Sequence, residues 1–168
     1  METALRAAET LPRVLCFAVL TCCVAVSGPN ETRAQSQGRF PGAAADRHQV
    51  GGELKLGILL AEQALGVLQS AGDSEQLKRA DALTIRSYVQ WNRAKQAVQL
   101  LRARQTVEDP LLQLTEDTID QTRVLTSQAH SHIEGAAADE SERAINIATA
   151  VQLLLNAIAV AQQAMDLV

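Results

Sequence analysis

Aromatic residues make up only 2% of this chain, so any core has to be built from Leu, Ile, Val and Ala. Ala and Leu lose little on entering a helix, whereas sheets draw more on Val, Ile, Thr and aromatics. Cysteine stops early. Cys16, Cys22 and Cys23 all lie in the first apolar segment, which leaves the rest of the chain without a disulfide, a thiolate nucleophile, Cys-ligated zinc or covalent haem. There is no excess of basic charge either. A net charge of -4 argues against bulk attraction to nucleic acid or to anionic lipid. No Glu-x-x-His pair, Gly-rich phosphate loop or Ser-His-Asp arrangement is present, so nothing in the sequence points to an enzyme or calls for a cofactor.

What is present begins with an apolar run from Val14 to Val26, preceded by Arg6, Arg13 and Pro12 and closed by Ser27, Gly28 and Pro29. A basic start, an apolar stretch of this length and small residues after it make a secretory signal. The run is shorter than the roughly 20 residues that span a bilayer. Residues 1–34 therefore read as a signal peptide, with cleavage favoured after Ala34, or as an uncleaved signal anchor. A lipoprotein attached through Cys23 is disfavoured, because Cys22 stands where a lipobox has Gly, Ala or Ser. The expected location is exported, periplasmic or secreted, with tethering by the N-terminal segment as the alternative. Residues 35–52, rich in Gln, Gly, Ala and Ser around Pro41, read as a flexible linker.

From Leu54 onward the apolar residues recur every three or four positions. A first helix is expected from about Glu53 to Ala71 through Leu54, Ile58, Ala61, Leu65 and Leu68, with Gly72 as its stop. A second opens at Asp73, where Gln76 can complete a capping box. It runs to about Gln105 through Leu77, Ala80, Thr84, Ser87, Trp91, Ala94, Val98 and Leu101. A third starts at Pro110 and runs through Leu111, Leu114, Thr118, Leu125 and Ile133, ending at Gly135. A fourth follows Asp139 to Glu142 and carries the stripe Ile147, Val151, Leu154, Ile158 and Met165. Short connections force sequential helices to lie antiparallel. The predicted fold is all-α, an up-down-up-down four-helix bundle over residues 53–168.

Four features could carry function. Arg79, Arg86 and Arg93 repeat every seven residues and form a basic strip, while the third helix begins acidic with Glu116, Asp117 and Asp120. These faces are expected to be solvated and partly complementary; the functional reading is a docking strip for an anion. Thr149, Gln152, Asn156 and Gln163 share one face of the fourth helix, which has no charge between Ala144 and Met165. That strip is either plain surface or an interface or ligand-lining strip. Ala150, Ala157, Ala161 and Ala164 form a small-residue seam that would let another helix approach closely. His130 and Glu134, one turn apart, are weak metal candidates, and His132 points elsewhere. A haem held by Met165 and His130 is disfavoured by their spacing along antiparallel helices, roughly 35–40 Å.

The first and fourth helices are apolar on too many sides for a small lone bundle. They are expected either to be central or to bury surface in an oligomer. The reading is thus an exported, non-enzymatic helical bundle that binds through helix-helix contacts, with itself or an envelope protein as partner. It has no nucleic-acid partner and meets a membrane only through an uncleaved N-terminal segment. A small-ligand or metal carrier using the bundle interior is the alternative, followed by an enzyme of unrecognised type.

Overall fold

The computed structural model describes residues 41–168, with side chains from Asp46 onward; the expected signal segment 1–34, with Cys23, lies outside the described residues. Four helices follow one another: α1 Pro41–Gln69, α2 Ser74–Arg104, α3 Pro110–Ala138 and α4 Arg143–Asp166. They belong to the unit Ser36–Val168. Helix α1 packs on α2 and α4, and α3 packs on α2 and α4, while the diagonal pairs make no close approach. This is the predicted antiparallel four-helix bundle with its helices at the corners of a square. No helix is central, α1 and α4 included.

The helix starts follow the local chemistry. The Gln76 N–H donates to Asp73 Oδ1 at 2.8 Å, and Gln76 Oε1 accepts from the Gly72 N–H at 2.6 Å. The box therefore closes one residue earlier than a standard one. Pro110 opens α3, with the Asp109 carboxylate accepting from the Leu111 N–H at 3.0 Å. Arg102 and Arg104 close α2, where cations suit the helix dipole. No glycine among the described residues has positive φ, so neither Gly72 nor Gly135 ends a helix in the left-handed way. Helix α3 runs through Gly135 to Ala138. Gly135 instead lets α4 come close: a Cβ there would lie 3.2 Å from Asn146 Nδ2.

The linker reading needs correction from Pro41 onward. Residues Pro41–Gly52 are the first turns of α1, with Pro41 at the helix start. Two ion pairs hold this stretch, Arg47 to Asp109 at 2.8 Å and Arg104 to Asp46 at 2.5 Å, and Val50 is fully buried in the core. The Gly51-Gly52 pair lowers local helix propensity, and tertiary contacts override it. A chain beginning at Glu53 loses Val50 and both pairs. It is expected to be about 2 kcal/mol less stable to urea than one beginning at Ser36. Equal stability of the two fragments would restore the tether reading.

One side chain organises the centre. Trp91 is completely buried; its indole N–H donates to Thr126 Oγ1 on α3 at 3.1 Å, and its far ring edge lies against Gly57 on α1. Around it pack Leu54, Ile58, Leu112, Ile119 and Ile158, and a second cluster gathers Leu68, Leu77, Ile133 and Leu154. The predicted second-helix seam is buried throughout. The third-helix seam is rotated from the prediction: Leu111 and Leu114 are exposed, and Leu112, Thr115, Ile119, Thr122, Thr126, Ala129, Ile133 and Ala136 face inward. The threonines can sit there because each donates its hydroxyl to the carbonyl four residues back: Thr115 to Leu111, Thr122 to Thr118 and Thr126 to Thr122.

Candidate functional site

Three surfaces bring the sequence candidates into view. The first is the α2/α3 seam, where the complementary charges meet. Glu116 is nearly buried and accepts from Arg102 at 2.5 Å and from Gln99 at 2.7 Å. Lys95 lies 3.9 Å from Glu116 and 2.6 Å from Asp120, and Arg123 reaches Asp120 at 2.5 Å. Burial pushes the Asp120 carboxyl up, but the hydrogen bonds from Lys95 and Arg123 outweigh it and hold the group below the usual carboxylate range. The Arg123 guanidinium also lies 5.5 Å from the Tyr88 ring centroid and donates to its hydroxyl. Asp117 takes only a hydrogen bond from Gln113.

Further along the same seam stands His130. Its Nδ1 lies 2.5 Å from Asp81 Oδ1, and its Nε2 lies 3.7 Å from Glu134 Oε1. Asp81, on α2, was invisible to the sequence reading, since helical spacing along α3 gives no access to a partner on another helix. A carboxylate on Nδ1 orients the ring so that Nε2 faces outward, the arrangement that supports metal-bound histidines. Yet among the described residues no group of three or more ligand-type side chains converges, and His130 with Glu134 offers two donors. His132 points away, toward Asn146 Oδ1 at 3.0 Å. An open groove of about 350 Å³ beside His130 is walled by Thr84, Ile85, Tyr88, Thr126 and Ser127. Its threonine hydroxyls are engaged: Thr126 with Trp91 and Thr122, Thr84 with the Ala80 carbonyl.

The second surface is the outer side of α4. Gln152, Asn156 and Gln163 are exposed, and Gln152 Nε2 donates to Asn156 Oδ1 at 3.2 Å. Thr149 is half-buried and donates to the Ile145 carbonyl. The amides therefore neither line the interior nor meet another helix of this chain. The alanine seam lies on the opposite side: Ala150, Ala157, Ala161 and Ala164 are fully buried, so the helix that approaches closely is one of the bundle's own. The outer side exposes Ala144, Ile145, Ala148, Leu155 and Ala159 among the amides, with no charge before Asp166. Ile145 is 70% and Leu155 42% exposed. Among the described residues α4 is the one helix long and apolar enough to cross a membrane, and 28% of its most apolar window is buried in the bundle.

The third surface is the basic strip. Arg79 and Arg86 line a groove between α1 and α2, away from the acidic start of α3, and Arg93 is exposed seven residues further along α2. Among the described residues none of them has a carboxylate within 4.0 Å, whereas Lys95, Arg102 and Arg104 on the same helix are all paired. Expected complementarity between the second and third helices thus holds for Lys95 and Arg102 and fails for the seven-residue row.

Compared with known protein families, curated proteins and solved structures, the chain matches none.

Proposed function

We propose that this chain is a non-enzymatic helical-bundle module that works by binding, through helix-helix contacts made by the outer face of α4. Its favoured partner is a second copy of itself. The observation that carries this reading is charge. The exposed sides of α1, α2 and α3 all bear Lys, Arg, Asp or Glu, and that of α4 bears none from Ala144 to Met165. A helix face that stays in water has no reason to exclude charge over six turns, while a face that packs on another helix does. The exposed amides suit such a face, because each can pair across a twofold interface where a charge would be stranded. An interior that holds a ligand has less support, since Trp91 and buried alanines fill the centre.

Size-exclusion chromatography with light scattering on residues 36–168 tests the proposal. The wild type is expected to be a dimer at high concentration. Ile145→Glu with Leu155→Glu is expected to weaken association at least about 100-fold, because each buried, unpaired carboxylate is costly. Melting of the monomer should not change, since both positions are exposed. A strict monomer at the highest attainable concentration would sink self-association. The export reading places the module across a membrane. A processed chain beginning at Gln35 supports it, and a cytoplasmic chain retaining Met1 overturns it.

A further inference from the structure

A groove of about 710 Å³ runs between the outer edges of α1 and α2. Its floor is Gly66, Val67, Ala82 and Leu83, and Arg79 and Arg86 stand along one wall. Gly66 has open space where a Cβ would be, so the trough owes part of its depth to that missing side chain. In the antiparallel register set by Gly57 against Trp91, exposed Leu59 and Val89, and then exposed Leu56 and Arg93, follow along α1 and α2 beyond the groove. The result is a strip of small and aliphatic residues edged by guanidinium groups spaced seven residues apart.

That spacing is informative. Seven residues advance about 10.5 Å and turn the helix through nearly two full turns, so the three arginines keep to one edge. A helix lying along the trough at a shallow angle meets α2 with the same period, and its side chains at seven-residue spacing would face Arg79, Arg86 and Arg93 in turn. No carboxylate among the described residues lies within 4.0 Å of these arginines. Glu75, one turn before Arg79, is exposed and makes no ion pair, and Glu53 and Glu62 on α1 make none either. Three other cations of α2 have carboxylate partners, Asp120 and Glu116 for Lys95, Glu116 for Arg102 and Asp46 for Arg104, while exposed Lys78, like the arginine row, has none among the described residues.

We propose that the α1/α2 groove is the docking site for an amphipathic helix of a partner protein, one with small aliphatic residues on the side that enters the trough and carboxylates seven residues apart along the flank that meets Arg79, Arg86 and Arg93. Charge complementarity and period select this occupant. A lipid surface is flat and would leave the recessed floor uncovered. Nucleic acid lacks stacking partners here, since Trp91 is buried and Tyr88 lies under Arg123 on the other side of α2. The site is distinct from the outer face of α4, because α2 and α4 are diagonal in the bundle.

The test uses the full chain and a synthetic three-heptad helical peptide with alanine and leucine on one side and glutamate at three positions seven residues apart. A second peptide carries glutamine at those positions. Fluorescence anisotropy is expected to show saturable, salt-sensitive binding of the glutamate peptide and about twofold to fivefold weaker binding for each arginine neutralised. The triple variant Arg79→Glu, Arg86→Glu, Arg93→Glu should lose the glutamate peptide and bind a lysine counterpart instead. Gly66→Leu should abolish binding by filling the trough, without lowering the melting temperature. The Ile145→Glu, Leu155→Glu variant should bind the peptide as the wild type does, which separates this site from the α4 reading. Equal affinity for the glutamate and glutamine peptides, or no saturable binding at about 1 mM peptide, overturns the proposal. So does capture on phosphatidylserine vesicles through the same arginines when the peptide is not bound.

Discussion

Gly57→Ala is expected to destabilise the bundle by about 3 kcal/mol, while Gly66→Ala stabilises it by about 1 kcal/mol. Both are glycines inside α1, and both exchanges remove the same backbone freedom from the unfolded chain. They differ in what the new methyl group meets. At Gly66 it meets nothing within 4 Å; at Gly57 it would overlap Trp91 Cζ3 and lie 2.6 Å from Cε3. The indole has little freedom to retreat, because its N–H is held by Thr126 on α3 and the ring is wholly buried. Either the ring shifts and gives up that hydrogen bond, leaving a buried donor unpaired, or α1 moves away from α2. Urea unfolding followed by fluorescence of this single tryptophan measures both variants. Combining Gly57→Ala with Trp91→Leu should cost less than the sum of the two single changes, since the smaller side chain makes room for the methyl. Strict additivity, or a stabilising Gly57→Ala, would mean that the ring does not fill the gap beside Gly57.

The period of the chain disclosed the bundle, and individual residues show where that legibility stopped. Asp73, Gln76, Asp109 and Pro110 announced their helix starts because capping is settled among near neighbours. The start of α1 was hidden, since Gly51 and Gly52 argue locally for a linker and the contacts that override them come from Asp109 and Arg104, far along the chain. The α3 seam was misjudged because leucine outranks threonine as an apolar signal. Thr115, Thr122 and Thr126 nevertheless turn inward by bonding their own backbone, and Leu111 and Leu114 are left outside. The candidate surfaces divide in the same way. Helical spacing placed Gln152 and Asn156 together, and Arg79, Arg86 and Arg93 in a row. It gave no access to Asp81 beside His130, or to the trough beside the arginines, because both require a second helix at a known rotation. The apolar excess of α1 and α4 fits either central positions or an oligomer; the square arrangement removes the first option. It leaves Leu56, Leu59, Ile145 and Leu155 facing outward.

Ala161→Leu is expected to cost about 3 kcal/mol, and Ala159→Leu close to nothing. The two positions are neighbours on α4, and leucine is nearly as good a helix former as alanine, so local propensity does not separate them. Burial does. Ala161 has no exposed surface and packs in the cluster that holds Leu54, Ile58 and Leu112, whereas Ala159 is exposed. Alanines occupy buried positions on every helix, with Ala61 and Ala64 on α1, Ala94 on α2, Ala129 and Ala136 on α3, and Ala157, Ala161 and Ala164 on α4. Such side chains suit helix axes at the short end of the 8–10 Å range, where added methylenes push backbones apart. Thermal melting of the two variants therefore reports the rotation of α4 about its own axis. Ala161→Leu should lower the melting temperature without altering the oligomeric state. Ala159→Leu should leave melting unchanged and alter association, because it lies on the face proposed to meet a second copy. If instead Ala159→Leu proved the destabilising change, α4 would have to be turned by about half a revolution. The amides would then lie inside the bundle, and the uncharged outer face, with the interface built on it, would no longer exist.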